Sequence, residues 1–190
     1  MNLLENLSYD TMDFHKTLEV ADFVKNCVDV ERVKGYCKTC PNYCKVWSCP
    51  EHDFNPLLYW SLFHEMELYG RKIILAENLT ERTFSSEEQL EILNQIFFKE
   101  RKHFLDMLRG LETEKSISLH VGYCDLCGKD NCARKEGKPC RFPKKKRFSV
   151  ESLGGDVVKA AELYFNIPLC WVSNGRLPEY FMLVGALLKI

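Results

Sequence analysis

The stretch SSEEQLEILNQIFFKERKHFLDMLRGLETEKSISLHV, residues 85–121, decides the fold. Ser85 followed by Glu88 is the capping-box spacing that opens a helix. Leu90, Leu93, Phe97, Phe104 and Leu108 then mark one apolar face, with Gly110 just past its end, so the spacing predicts a helix over about 86–109. SISLHV (116–121) alternates Ile117, Leu119 and Val121 toward one side, the period of a half-buried strand. A long amphipathic helix running into such a strand argues for helices layered on a sheet.

The flanking segments extend that pattern. KIILAEN (72–78) is compact and β-branched and reads as a buried strand. Before it, Asn55 suits an N-cap, Pro56 the first helical position and Gly70 the stop, with Leu58, Leu62, Met66 and Tyr69 between them at helical spacing. The first fifty residues are weakly periodic: Leu18, Ala21, Val24 and Val28 fit one stripe of a short helix, followed by an extended VDVERV. Residues 1–27 are therefore the part expected to attach most loosely. Toward the C-terminus, Asp156 caps a helix to about Phe165, Pro168 blocks its continuation, and EYFMLVGALLKI reads as a strand with Gly185 as a bulge. The expected fold class is α/β: a single layered domain over 1–190, with a mixed sheet and helices, interrupted by two cysteine-rich metal-binding loops.

Composition narrows the class further. Among 190 residues 46% are apolar and 28% charged, an ordinary globular balance. A formal net charge of -1 gives no global pull toward nucleic acid or an anionic membrane. The longest apolar runs, such as Phe181 to Leu188, are far below the ~18 residues of a membrane span. The acidic start MNLLENLSYDTMDFH lacks the basic-then-apolar pattern of a signal peptide. A soluble cytoplasmic protein is expected, and reduced thiols with it.

Cysteine is the abnormal number, ten in all. Cys27 and Cys170 stand alone and read as buried free thiols. The other eight form two runs. YCKTCPNYCKVWSCP (36–50) places Cys37, Cys40, Cys44 and Cys49 at C-x2-C-x3-C-x4-C. YCDLCGKDNCARKEGKPCRFP (123–143) places Cys124, Cys127, Cys132 and Cys140 at C-x2-C-x4-C-x7-C. Lys, Pro, Asn and Asp between the cysteines do not make a core pattern. Two sulfurs of a C-x-x-C turn can instead converge on one centre while backbone amides stabilise the thiolates. Clustered cysteines in a reducing compartment read as metal ligands. Two four-cysteine zinc sites fit the spacing. Iron–sulfur clusters, one or two and of the 4Fe-4S kind, fit it as well. So does one shared site, in which Cys37 and Cys40 meet Cys124 and Cys127.

The order of motifs resembles a known family. Cys37-x-x-Cys40-Pro41-Asn42-Tyr43, Trp47-Ser48-Cys49-Pro50, Cys124-x-x-Cys127, Cys132, Cys140-Arg141-Phe142-Pro143 and the segment Ser149 to Val157 are similar to domain-of-unknown-function family 2284, over about residues 30–190. The resemblance implies a cysteine-bound metal, an iron–sulfur cluster foremost, and no assigned reaction. It also singles out Cys44, where the family pattern has glycine, and Glu51, where it has proline. If Cys44 stands aside, Cys37, Cys40 and Cys49 leave one coordination position open, and His52 is a candidate to fill it.

Around the runs, Trp47, Tyr43 and Tyr123 are placed to shield a centre. Eight basic residues lie between Arg134 and Arg147: Arg134, Lys135, Lys138, Arg141, Lys144, Lys145, Lys146 and Arg147. They read as a solvated loop, as compensation for thiolate charge, or as a dock for an acidic redox partner. Trp47 and Arg141 are the side chains expected at the cofactor itself. His64, His103 and His120 read as surface or core histidines. No phosphate loop, nucleophile elbow or metalloprotease helix is present in the sequence. The expected function is metal binding, by an iron–sulfur centre in electron transfer or as an accessory to a metalloenzyme. The alternative is a zinc-bound structural module whose basic loop docks a partner, with nucleic acid disfavoured. An enzymatic reading needs a substrate pocket beside Cys49.

Overall fold

The computed structural model describes residues 7–128 and 130–190. Four strands form one sheet in the order β1-β2-β4-β3, where β1 is Tyr9–Glu19, β2 Glu65–Leu75, β3 Ser116–Leu119 and β4 Tyr180–Lys189. All three strand pairings are antiparallel, with Met66 opposite Leu188 and Leu119 opposite Ala186. The layered α/β class holds, and its sheet is antiparallel rather than mixed.

Alternation explains why the central strands β2 and β4 are buried on both faces. Met66 and Leu68 of β2 join Val184, Ala186 and Leu188 of β4 on one face, against α1 (Val20–Cys27) and α7 (Val157–Phe165). Ile73, Leu75 and Leu183 face the other way, against α5 (Ser86–Gln95) and α6 (Phe97–Gly110). Full burial of one such aliphatic side chain contributes roughly 1.5–3 kcal/mol. Gly185 is not a bulge, for β2 and β4 stay in register through it. A Cβ there would come within 2.6 Å of Leu108 Cδ1, so glycine permits α6 to lie close on the sheet.

Several expectations change. The helix opened by the Ser85–Glu88 capping box is present, but it breaks at Ile96 into α5 and α6. Ile92 and Ile96 are fully buried there, while Leu90 is 56% exposed. The expected helix from Asn55 to Gly70 stops at Trp60: α3 is Pro56–Trp60, and Met66, Tyr69 and Gly70 lie in β2. Leu58 and Leu62, the first half of that apolar stripe, are exposed. KIILAEN is the end of β2 followed by α4 (Glu77–Thr80). VDVERV is not extended, because Asp29 caps α2 (Val30–Cys37) by accepting from Arg32 N at 3.0 Å. Asp156 caps α7 as expected, accepting from Lys159 N, and Asn166 in the left-handed region ends it.

Of the segment 1–27, residues 1–6 lie outside the described residues. The remainder supplies the edge strand β1 and, from α1, the core residues Val20, Phe23 and Cys27. Among the described residues no helix is long and apolar enough to cross a membrane.

Candidate metal centre

All ten cysteines are free thiols, and the two runs occupy loops. The first loop leaves α2 at Cys37, on that helix's last turn, and continues in turns to Pro50. The second leaves β3 and is held at its root by Arg101 of α6. Its Nε donates to Val121 O at 2.9 Å, one terminal nitrogen pairs with Asp125 at 3.0 Å, and the other donates to Tyr123 O. At the far end Arg147 makes a bidentate pair with Glu112, both contacts 2.6 Å. Glu112 also accepts from the Ser118 backbone, so these partners hold its carboxyl down at about 2 against the cost of its burial.

Three side chains then fasten the loops to one another. Arg134 reaches out of the second loop to the carbonyls of Val46 (3.0 Å), Cys49 (2.6 Å) and Glu51, and its guanidinium lies 5.1 Å over the Trp47 ring. Trp47 Nε1 donates back to Lys138 O at 3.0 Å. Ser48, fully buried, accepts from Cys124 N at 2.9 Å.

Within this frame the cysteines sort into two groups. Cys124, Cys127, Cys132 and Cys140 line one small cavity of about 30 Å³, with Trp47 and Tyr123 in its wall. Cys37, Cys40 and Cys49 line a second cavity of about 570 Å³, with Tyr36, Trp171 and Glu151 around them. Tyr36 and Trp171 are 66% and 69% exposed. Tyr123 lines both cavities. The two C-x-x-C pairs thus face separate spaces, and the geometry does not favour a single shared site. Cys44 lines neither cavity: it sits at φ 56°, its N–H donates to Pro50 O, and its thiol borders Tyr43 and Lys34.

Burial pushes Cys37 up to about 11 and Cys49 up to about 12, and Cys40 adds to both. Cys124 is raised chiefly by burial, with Cys140 adding. A cation among such thiols would offset the repulsion between their thiolates. Among the described residues, no three His, Cys, Asp or Glu donors are already drawn together into a ligand set. The donor chemistry nonetheless fits a thiophilic metal: four thiols around one space, and three thiols with a buried carboxyl around the other.

The remaining candidates are placed as follows. His52 donates through Nε2 to Ser152 O at 2.8 Å and stacks on Phe54, and it does not line the three-cysteine cavity. His120 is buried, and burial with surrounding arginines lowers it to about 3. Arg141 donates to Asn131 O at 2.6 Å and is not in the lining of the four-cysteine cavity, whereas Trp47 is. Of the eight basic residues most are engaged locally: Lys135 with Asp130, Lys138 with Glu136, Lys146 over Phe148, besides Arg134, Arg141 and Arg147. Exposed Lys144 and Lys145 are left without an ion pair among the described residues.

Sequence reasoning did not assign a role to Ser48, Arg101 or Glu151. Glu151 sits in SVESLGG (149–155), where two serines and two glycines around one carboxylate signal a tight, ordered turn.

An α/β frame presenting seven thiols to two cavities has the donor chemistry of a metal-binding domain. The chain is a member of the family described as predicted metal-binding protein (DUF2284), which it matches over residues 24–188. No curated protein and no solved structure matches it.

Proposed function

We propose that this protein carries two metal centres of unequal access and works in electron transfer or as an accessory to a metalloenzyme in the cytoplasm. Cys124, Cys127, Cys132 and Cys140 would hold the enclosed centre, and Cys37, Cys40 and Cys49 the open one, with Cys44 outside both. The observation that carries this reading is the division of seven cysteines between a 30 Å³ space and a 570 Å³ cavity with a common Tyr123 wall. Thiolates in such sets bind iron–sulfur clusters, which supply one-electron chemistry when bound. The chain's own part is to exclude water with Trp47 and Tyr123 and to fix the sulfurs through the Arg134 contacts. Lys144 and Lys145 are the cations left for steering an acidic partner.

A second reading is zinc at the enclosed centre, which four thiols around one space fit as well. Protein purified without air separates the readings through its colour and its iron, sulfide and zinc per chain. Brown protein with iron and sulfide that Cys37→Ser and Cys49→Ser remove supports an iron–sulfur centre in the open cavity. Colourless protein with zinc alone overturns that part, and metal-free protein overturns the whole.

A further inference from the structure

We propose that Glu151 is the fourth, non-sulfur ligand of the centre formed by Cys37, Cys40 and Cys49. This rests on the reading that those three cysteines hold metal, and it adds a residue from a segment more than 100 positions away in sequence.

The first support is placement. Glu151 lines the same cavity as the three thiols. The second is an orphaned atom. Glu151 Oε2 is buried and has no hydrogen-bond partner among the described residues, although the residue keeps some exposed surface. An unpaired carboxylate oxygen out of water is costly, and a cation is the partner that offsets it.

The third support is rigidity. Glu151 lies in the short 3-10 turn Glu151–Leu153, and every residue around it is tied down. Ser149 and Ser152 exchange backbone-to-hydroxyl bonds at 3.0 and 3.1 Å. Trp60 Nε1 donates to Leu153 O at 2.9 Å, and His52 donates to Ser152 O. Gly154, at φ 84°, accepts from Asp29 N at 2.9 Å, and a Cβ on it would lie 2.7 Å from Val30 Cα. Val30 begins the helix that ends at Cys37, so the turn bearing the carboxylate and the helix bearing the first thiol are locked together. A turn fixed so firmly beneath a buried carboxylate with one oxygen unpaired is arranged for a ligand that arrives later.

Carboxylate oxygen is an ordinary ligand for zinc and for iron beside thiolates. On metal binding the thiols and the carboxyl lose their protons to solvent, and no electron changes hands.

Cobalt(II) titrated into the metal-free full chain tests this, because its visible bands report the sulfur and oxygen count around it. The Cys37→Ser/Cys40→Ser variant isolates the three-cysteine contribution by difference. Glu151→Gln, which keeps the size, is expected to weaken cobalt at that centre about 10-fold or more. Glu151→Cys is expected to restore affinity and move the bands to those of an all-sulfur site. Unchanged affinity and bands in both variants overturn the role of Glu151 while leaving the three-cysteine centre standing. A Cys37→Ser/Cys40→Ser chain that binds as much cobalt as the parent overturns the centre and the inference together. Should Glu151→Gln also lose the four-cysteine bands, the fold has failed, and Glu151→Cys decides: no restored binding refutes the proposal.

Discussion

The two cysteine loops present their thiols in opposite ways. The second loop, between Val121 and Arg147, is closed at its root by Arg101 and Glu112 and sets four thiols along one small cavity. The first rides on the end of α2 and opens three thiols onto a cavity about 570 Å³ in volume. Enclosure is what a structural or purely redox centre needs, and an open wall is what a reacting centre needs. The difference teaches that equal cysteine counts in two runs do not make equal sites. The third cysteine of the first run, Cys44, lines neither cavity.

That contrast can be broken experimentally. The largest effect is expected from Cys127→Ser, which should remove one centre's metal and loosen the second loop, because metal binding to such a loop is part of its folding energy. Cys49→Ser should remove metal with little loss of stability, and a melting curve with metal analysis on both variants checks the asymmetry. Equal destabilisation by the two would erase the distinction. Next comes Arg134→Ala, which strips three carbonyls of their donor and the Trp47 ring of its cation. A loss of about 2 kcal/mol in denaturant unfolding is expected, with metal release from both centres.

The Glu112–Arg147 pair sharpens the picture of the closed loop through pH. Glu112 is held below its ordinary value, so its stabilisation is complete above about pH 5 and is lost as pH falls toward 2. Both side chains are about 15% exposed, and Glu112→Gln should cost about 1–3 kcal/mol at neutral pH while flattening the acid limb of the unfolding profile. An acid limb identical in the variant would show that other carboxylates set it. The smallest effect belongs to Cys44→Ala: unchanged metal content and stability within about 0.5 kcal/mol. Loss of a metal equivalent would restore Cys44 to the ligand set.

Some of this was legible in the sequence for local reasons. The Ser85–Glu88 box and the Asp156 cap act over three residues, and both appear as read. The C-terminal strand was legible too, since its apolar run is buried on both faces. β1 was not, because an edge strand exposed along most of its length shows no alternation. β2 misled for a different reason. Its buried residues lie on one face through Leu68 and on the other from Ile73, so Met66 and Tyr69 mimic helical spacing. The cysteine runs announced a thiol-rich site, but their division between two cavities comes from tertiary contacts. Glu151 joins the thiols only because the Gly154 turn packs on α2, a contact no local pattern carries.

The grip of Arg134 on the first loop has a thermodynamic corollary. Ordering either loop fixes the donor or the acceptors of the same contacts, so with two centres as proposed, whichever filled first would lower the entropic cost for the other. Loading would then be cooperative without any ligand shared between the sites. Chains with both centres filled or both empty should outnumber half-filled ones at limiting metal, and native mass spectrometry would read that distribution directly.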